Sequence, residues 1–259
     1  MQMRVMQWNV IYDEDPERIV EVIQDVDPDV VCLQELTAGY QQRYSDVGAH
    51  IAARLGYYGV HDYGRMALPN GRDADVGCGI FSRWPLERHK SLVLQAGEMV
   101  DGEVTVDDRR YTQADVMTPD GMVRFGTAHE PYHPHFFATV AKRAMTETIL
   151  VELLAGGGPA VWCTDLNTTS GSQMIERILK VMKNAGPALD QPTWTTKPFY
   201  LAHRHYSGLR WRLDYIFQRG LEMRSAEIIN TDVSDHLPIV AELYLPSHHR
   251  RTSVKRPRV

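Results

Sequence analysis

The sequence predicts an α/β fold, and three observations carry the prediction. Short apolar runs of buried-strand character recur, among them Val30-Val31-Cys32-Leu33 and residues 159–163. Stretches with helical spacing of apolar residues lie between them, such as Ile19, Val22 and Ile23. Helix-like and strand-like segments alternate with no shift in composition, no low-complexity tract and no repeat. One domain is therefore predicted over residues 1–246, followed by a basic tail, 247–259.

Taken in order, residues 4–10 read as a first strand ending at Trp8-Asn9. A helix follows with Asp15 as its cap and Pro16 at its first position, running to about residue 25. Asp27-Pro28-Asp29 turns the chain into the strand at 30–33, which ends at Gln34-Glu35. A second helix takes part of 40–55, and the polar stretch 64–75 reads as a surface loop. Residues 77–83 form a strand stopped by Trp84-Pro85. Strands are predicted near 88–94, 109–117 and 122–129, with a turn at Pro119-Asp120-Gly121. The acidic stretch 98–108 reads as an exposed connection. Residues 136–154 carry Phe137, Val140, Ala144, Thr148 and Val151 as the apolar stripe of a long amphipathic helix ended by three glycines. A buried strand at 159–163 and a helix at 171–183 come next. Late strands at 211–217 and 222–230 precede a final strand through 245.

Bulk properties bound the function. The chain is 43% hydrophobic and 24% charged, ordinary for a soluble globular protein, and its net charge of −5 argues against coating nucleic acid by charge alone. The tail, HHRRTSVKRPRV from His248, is the exception; it reads as a solvated, disordered end, or alternatively as a loose hold on a polyanion. No apolar run approaches the roughly 20 residues of a membrane span, and the first residues lack a secretory signal's apolar core. Cys32, Cys78 and Cys163 sit in apolar settings and read as reduced core thiols. A cytoplasmic protein without a membrane anchor is expected, and no protein partner is evident.

Polar residues fall in a pattern. Asn9, Gln34-Glu35, Asp165-Leu166-Asn167, Asp214 and Asp235-His236 all lie at or beside apolar strand-like runs, where α/β proteins assemble sites. Each has a bland alternative: a turn cap for Asn9, a solvated acid for Glu35, an Asx-turn for Asp165 and Asn167, an ion pair with Arg210 or Arg212 for Asp214. Gathered in space, these groups supply hard oxygen ligands suited to Mg²⁺ or Mn²⁺. With an imidazole as base, the chemistry they suit is metal-assisted attack of water on a phosphoryl centre.

The ordered segments resemble the endonuclease/exonuclease/phosphatase superfamily, which is DNase I-like and exonuclease III-like. The matching pieces are Gln7-Trp8-Asn9, Leu33-Gln34-Glu35, Gly79 to Pro85, Thr127-Ala128-His129, Thr164-Asp165-Leu166-Asn167, Arg212 to Phe217 and Ser234-Asp235-His236. The resemblance implies a four-layer α/β/β/α sandwich with one metal-dependent site. It implies that Glu35 is the principal metal ligand, supported by Asn9 and Asp235. His236 would deprotonate the attacking water, with Asp214 orienting its ring. Asp165 and Asn167 would position nucleophile and phosphoryl oxygens, and His129 would hydrogen-bond a phosphoryl oxygen or assist the leaving group. Two departures stand out: Cys163-Thr164 precedes Asp165 where the family usually has a glycine, and Glu130-Pro131-Tyr132 follows His129 in none of the usual subfamily patterns.

His129-Glu130-Pro131-Tyr132-His133 also matches H-E-x-x-H, the zinc-protease signature, but Pro131 and Pro134 oppose the helix that motif needs. The expected activity is Mg²⁺-dependent phosphodiester hydrolysis in nucleic acid. Arg83, Trp194 and Tyr206 are the candidate substrate-binding residues, with Lys197, Tyr200, His203, Arg204 and His205 on the same late loop as potential base or phosphate contacts. Inositol phosphates or phospholipid head groups are the alternative substrates. A zinc metalloprotease and a non-catalytic binding module are remote readings.

Overall fold

Strand β1 (Gln2–Asn9) leads through α1 (Pro16–Val26) into β2 (Val30–Gln41), β3 (Tyr44–Asp46) and α2 (Val47–Leu55). The hairpin β4 (Tyr58–Ala67) and β5 (Asp73–Ser82) follows, then β6 (Leu86–Gln95), β7 (Glu98–Val100), β8 (Glu103–Val106), β9 (Arg109–Thr118) and β10 (Gly121–His129). Next come α3 (Val140–Leu154), β11 (Ala160–Asp165), α4 (Gln173–Leu179), β12 (Lys183–Asn184), β13 (Phe199–Leu201) and β14 (Arg204–Tyr206). The chain finishes with β15 (Asp214–Arg219), β16 (Glu222–Ile228) and β17 (Ile239–Tyr244). This computed structural model describes residues 2–68, 70–100, 103–201 and 204–246. The basic tail and His203 lie outside them.

Two sheets dominate. The first has the order β16-β17-β1-β2-β5-β4 with β3 added to β2; the second runs β12-β15-β11-β10-β9-β6. Alternation along the strands builds the layers. Val5 faces inward to join Val30, Cys32, Val161, Cys163 and Ile216 in a core between the sheets. Its neighbours Met6 and Trp8 face outward onto Ile19 and Ile23 of α1 and Ile51 of α2. On the other side, Trp162, Tyr215 and Phe217 pack against Ile149 and Leu153 of α3 and Ile175 and Ile178 of α4. The architecture is the four-layer α/β/β/α sandwich.

Local chemistry sets the boundaries. Asp15 caps α1 by accepting from Glu17 N, Pro16 opens it, and Asp27 closes it in the left-handed region (φ 55°). Asp46 caps α2 through Ala49 N.

Several expectations need correcting. The segment 64–75 is not a surface loop: β4 and β5 pair through it from Tyr58↔Ser82 to Ala67↔Asp73, because half-exposed polar residues suit an edge hairpin. The acidic stretch 98–108 contains the β7–β8 hairpin, and its last two acids tie to β4: Asp107 accepts from Ala67 N and Asp108 from Arg65 N. Strand β2 does not end at Glu35 but bulges there and continues, with the register to β5 shifting between Gln34 and Leu36. In α3 the supposed apolar stripe faces out: Phe137, before the helix, and Val140 and Val151 within it are exposed, while Lys142, Met145, Thr146, Ile149, Leu150 and Leu153 are buried. The helix at 171–183 shortens to α4. The cysteines are free and buried, and no helix among the described residues is long and apolar enough to cross a membrane.

Candidate active site

Strand register brings the polar residues to one edge of both sheets. Asn9 ends β1 and pairs with Gln34 in parallel β2, which places it beside the bulge at Glu35. In the second sheet, His129 at the end of β10 pairs with Asp165 at the end of β11, and Asp165 pairs in turn with Asp214 at the start of β15. Asp235-His236 sits in the loop just before β17, which is antiparallel to β1. Glu35, His129, Asp165, Asn167, Asp235 and His236 line one cavity of about 250 Å³. Each sheet thus contributes about half of the groups.

The geometry is specific. His236 Nδ1 lies 2.9 Å from Asp214 Oδ2, and that carboxylate also accepts from Thr193 Oγ1 at 2.6 Å and from Gln7 Nε2 at 2.9 Å. The His236 Nε2 edge faces Asp165 Oδ2 at 3.8 Å. Asn9 Nδ2 donates to Glu35 Oε1 at 2.8 Å and to Asp165 Oδ2 at 3.0 Å, while its Oδ1 accepts from Ile11 N at 3.1 Å. Asp165 Oδ1 accepts from Asn167 N at 2.8 Å, an Asx-turn that aims Asn167 Nδ2 at His129 Nε2 (3.0 Å) and Glu130 O (3.0 Å). Trp8 Nε1 donates to His236 O, and Ser234 Oγ donates to Asn9 O while receiving His236 N. These bonds fix the Asp-His loop against β1.

Backbone strain concentrates here. Ile11, Glu35 and Asn167 all line the cavity, and all adopt left-handed backbone, with φ of 57°, 61° and 45°. Each costs about 1–3 kcal/mol and persists only where surrounding structure enforces it. The bulge at Glu35 turns a carboxylate into the cavity that a regular strand would point elsewhere.

Electrostatics follow from burial and crowding. Burial pushes the Glu35 carboxyl up to about 7, with Asp235 adding to the effect against the Asn9 hydrogen bond. Burial also raises Asp165, to about 6, opposed by His236. Burial alone would favour a neutral His236, but Asp214, Asp235 and Asp165 outweigh it and raise the ring to about 10. His129 moves the other way: burial, then the charges of Arg109 and His236, hold it well below the usual imidazole range.

Some predicted residues have other tasks. Arg83 is not in the site. It follows Ser82, which pairs with Val30 at the opposite end of β2, about 13 Å along the strand from Gln34. There it bonds Asp27 and Tyr57. Trp194 does line the cavity, but 4% exposed, with its Nε1 donating to Asp235 Oδ2 at 2.7 Å. Tyr206 is buried behind it with Phe136 and Leu213, its hydroxyl bonded to that of Tyr132, so it supports the wall. His133 is exposed outside any helix while His129 ends a strand, so the H-E-x-x-H residues do not share a helix face.

Other residues carry weight that their sequence did not announce. Gln7 bridges Asp214 to Gln34, and Gln34 reaches Thr127, a polar link between the two sheets beneath the site. Lys142, fully buried, donates to Asn167 O at 2.7 Å and so braces its strained backbone. The available signal was the second apolar set at helical spacing, Met145, Ile149 and Leu153, with Lys142 one turn before it. Arg109 also lines the cavity.

A family model described as the Endonuclease/Exonuclease/phosphatase family matches residues 6–236, nearly the whole chain. The chain belongs to this family. Its members are generally hydrolases of phosphoester bonds, nucleases and phosphatases among them. Solved structures agree in fold. An endonuclease/exonuclease/phosphatase from Beutenbergia cavernae superposes with a TM-score of 0.75 at 22% identity, covering 94% of this chain and 72% of that one. The human Nocturnin catalytic domain, solved with a bound sulfate anion, gives 0.69 at 17% identity over 95% of each chain. TDP2 of D. rerio, complexed with single strand DNA product, gives 0.67 at 16% identity over 94% of this chain and 99% of that one. A UPF0294 protein of Vibrio vulnificus is 34% identical over 92 residues, which take in 35% of this chain and only 29% of the Vibrio protein.

Proposed function

We propose that the protein is a divalent-metal-dependent phosphodiesterase that hydrolyses nucleic acid by attack of water at phosphorus. The observation that carries the reading is the facing of a His236–Asp214 pair and a Glu35–Asp165 carboxylate pair across one cavity.

The donor set fits a hard cation such as Mg²⁺ or Mn²⁺. Two acids, Asp235 and Asp165, crowd buried Glu35 against a single opposing imidazole, His236, an excess of negative charge that a divalent ion would offset. Asp165, Asp214 and His236 form a second group with donor atoms within 4.8 Å of one another. Asp214 already accepts three hydrogen bonds, so Glu35 and Asp235 are the better holders. When bound, such an ion would polarise the phosphoryl group and offset part of the charge that keeps His236 protonated.

The remaining roles belong to the chain itself. His236 Nε2 takes the proton of the attacking water, while Asp214 fixes the tautomer by holding Nδ1–H. Asp165, facing that edge, orients the water. Asn167 Nδ2 would exchange its bond to His129 Nε2 for one to a phosphoryl oxygen, which frees the neutral His129 ring to meet the same group. Asn9 spans Glu35 and Asp165, holding the two acids at a fixed separation.

Nucleic acid is favoured by the β13–β14 hairpin. Its Phe199 lines the cavity, and it sends Tyr200, Arg204 and His205 to the surface, a stacking and phosphate-binding combination. The neighbouring TDP2 structure holds a single-stranded DNA product. Residues 1–246 carry 23 basic against 33 acidic side chains, since five of the 28 Lys and Arg lie in the tail. That net of −10 favours a strand end seated in a confined cavity over a duplex held by bulk charge.

The test is a screen of purified protein with Mg²⁺ or Mn²⁺ over single- and double-stranded DNA, abasic DNA, RNA, 5′-tyrosyl DNA and phosphoinositides. Cleavage of a nucleic acid that EDTA abolishes supports the proposal. Turnover of phosphoinositides alone moves the substrate to phosphorylated small molecules, and no turnover of any phosphoester sinks the reading.

A further inference from the structure

Arg109 opens β9 and is 6% exposed, yet it lines the cavity that holds the site. Among the described residues lining that cavity it is the one Lys or Arg side chain. Its Nη2 donates to Asp107 Oδ2 at 2.9 Å, while Nε and Nη1 are buried without a hydrogen-bond partner. Asp107 in turn accepts from Ala67 N at 2.9 Å, which ties the arginine to the β4–β5 hairpin. A guanidinium keeps its charge inside a protein, and leaving two of its donors unmet costs free energy that an anion would recover.

Its position separates it from the reacting groups. Arg109 also borders a recess of about 10 Å³ that Met66, Val76, Cys78, Asp108, Arg110 and His129 line and that neither Glu35, Asp165, Asn167 nor His236 borders. This recess has room for about one water, so an anion reaches Arg109 from the main cavity. His129 borders both spaces, so the guanidinium lies to one side of the phosphoryl centre.

We propose that Arg109 forms an anion-binding subsite that takes a second phosphate of the substrate, the phosphodiester adjacent to the scissile one in a nucleic-acid strand. The two unmet donors of a rigid fork suit phosphate oxygens, and Met66 and Val76, which line the same cavity, strengthen the contact by excluding water. The proposal rests on the phosphoester reading of the neighbouring site and names what that site's substrate must carry beyond the bond to be cut.

The experiment compares thymidine 3′,5′-bisphosphate with thymidine 5′-monophosphate by calorimetry, with Mg²⁺, in a His236→Ala background that spares the probes. The parent should bind the bisphosphate at least about tenfold more tightly, the worth of a charge-assisted hydrogen bond. Adding Arg109→Gln should erase that preference and leave monophosphate affinity unchanged, and Arg109→Lys should keep part of it. Thermal melts confirm that each variant is folded. Equal binding of both probes by the parent, or equal losses for both on Arg109→Gln, overturns the subsite. An Arg109-dependent preference in a protein that hydrolyses no phosphoester keeps the subsite and sinks the hydrolase reading. Hydrolysis of phosphodiesters without the preference sinks the subsite alone.

Discussion

In the folded protein without metal, Glu35 keeps its proton up to about 7, whereas an unfolded chain releases it near the ordinary carboxyl value of 4.5. Between those values the folded state holds the extra proton, so this group's contribution to stability falls as pH rises through the window. A divalent ion must displace that proton, so its affinity should climb over the same range. Mn²⁺ is therefore expected to raise the melting temperature more at about pH 7.5 than at about pH 5.5, and Glu35→Ala should remove most of the shift. An equal shift in the variant would show that the ion sits elsewhere. His236→Ala and Asp214→Asn should each lower turnover by about 10³-fold or more with the fold intact, measured as initial rates beside a thermal melt. At this scale the sequence was informative wherever chemistry demands a residue type: Glu35, Asp165, Asp214 and His236 stand out as acids and an imidazole beside apolar strands. Arg83 misled because a local run does not say at which end of a sheet it finishes. Gln7 and Thr193 stayed hidden because each acquires its role only from Asp214, a partner 207 and 21 residues away.

Helix α3 shows what the element scale adds. Apolar residues occur at two angular positions on this segment, and the sequence reading chose the set containing Val140 and Val151. The buried set contains Lys142, a residue type that seldom faces a core unpaired, so the periodicity of that face is broken. The lysine's partner, the Asn167 carbonyl, comes from a loop that local periodicity cannot reveal. The two faces predict different penalties. Ile149→Ala should cost about 2–5 kcal/mol, whereas Val140→Ser should stay within about 0.5 kcal/mol, both read from urea midpoints. Similar penalties at both positions would put the helix in the wrong rotation. The β4–β5 hairpin was missed for a related reason: its polar residues read as a loop in isolation and become an edge pair only beside β2.

Across the whole molecule, the α/β class was legible in the alternation of helix-like and strand-like runs, while the four-layer arrangement was implied only by the resemblance of the ordered segments to the family. The join between the sheets was not legible, since no residue in β1 announces that it will meet β15. That join is where the function sits. Asn9, Glu35 and His236 ride on one sheet, and His129, Asp165, Asn167 and Asp214 on the other, with the Gln7–Asp214 bond crossing between them. In low urea, loss of hydrolysis should precede loss of far-UV circular dichroism if the sheets loosen before they melt. Coincident transitions would mean that docking and secondary structure fail together. Either way, no half of the sandwich owns a working set of groups. If the proposed chemistry holds, a nascent, nicked or partly opened chain would be chemically harmless, its capacity to cut a phosphoester withheld until the two halves have closed on each other.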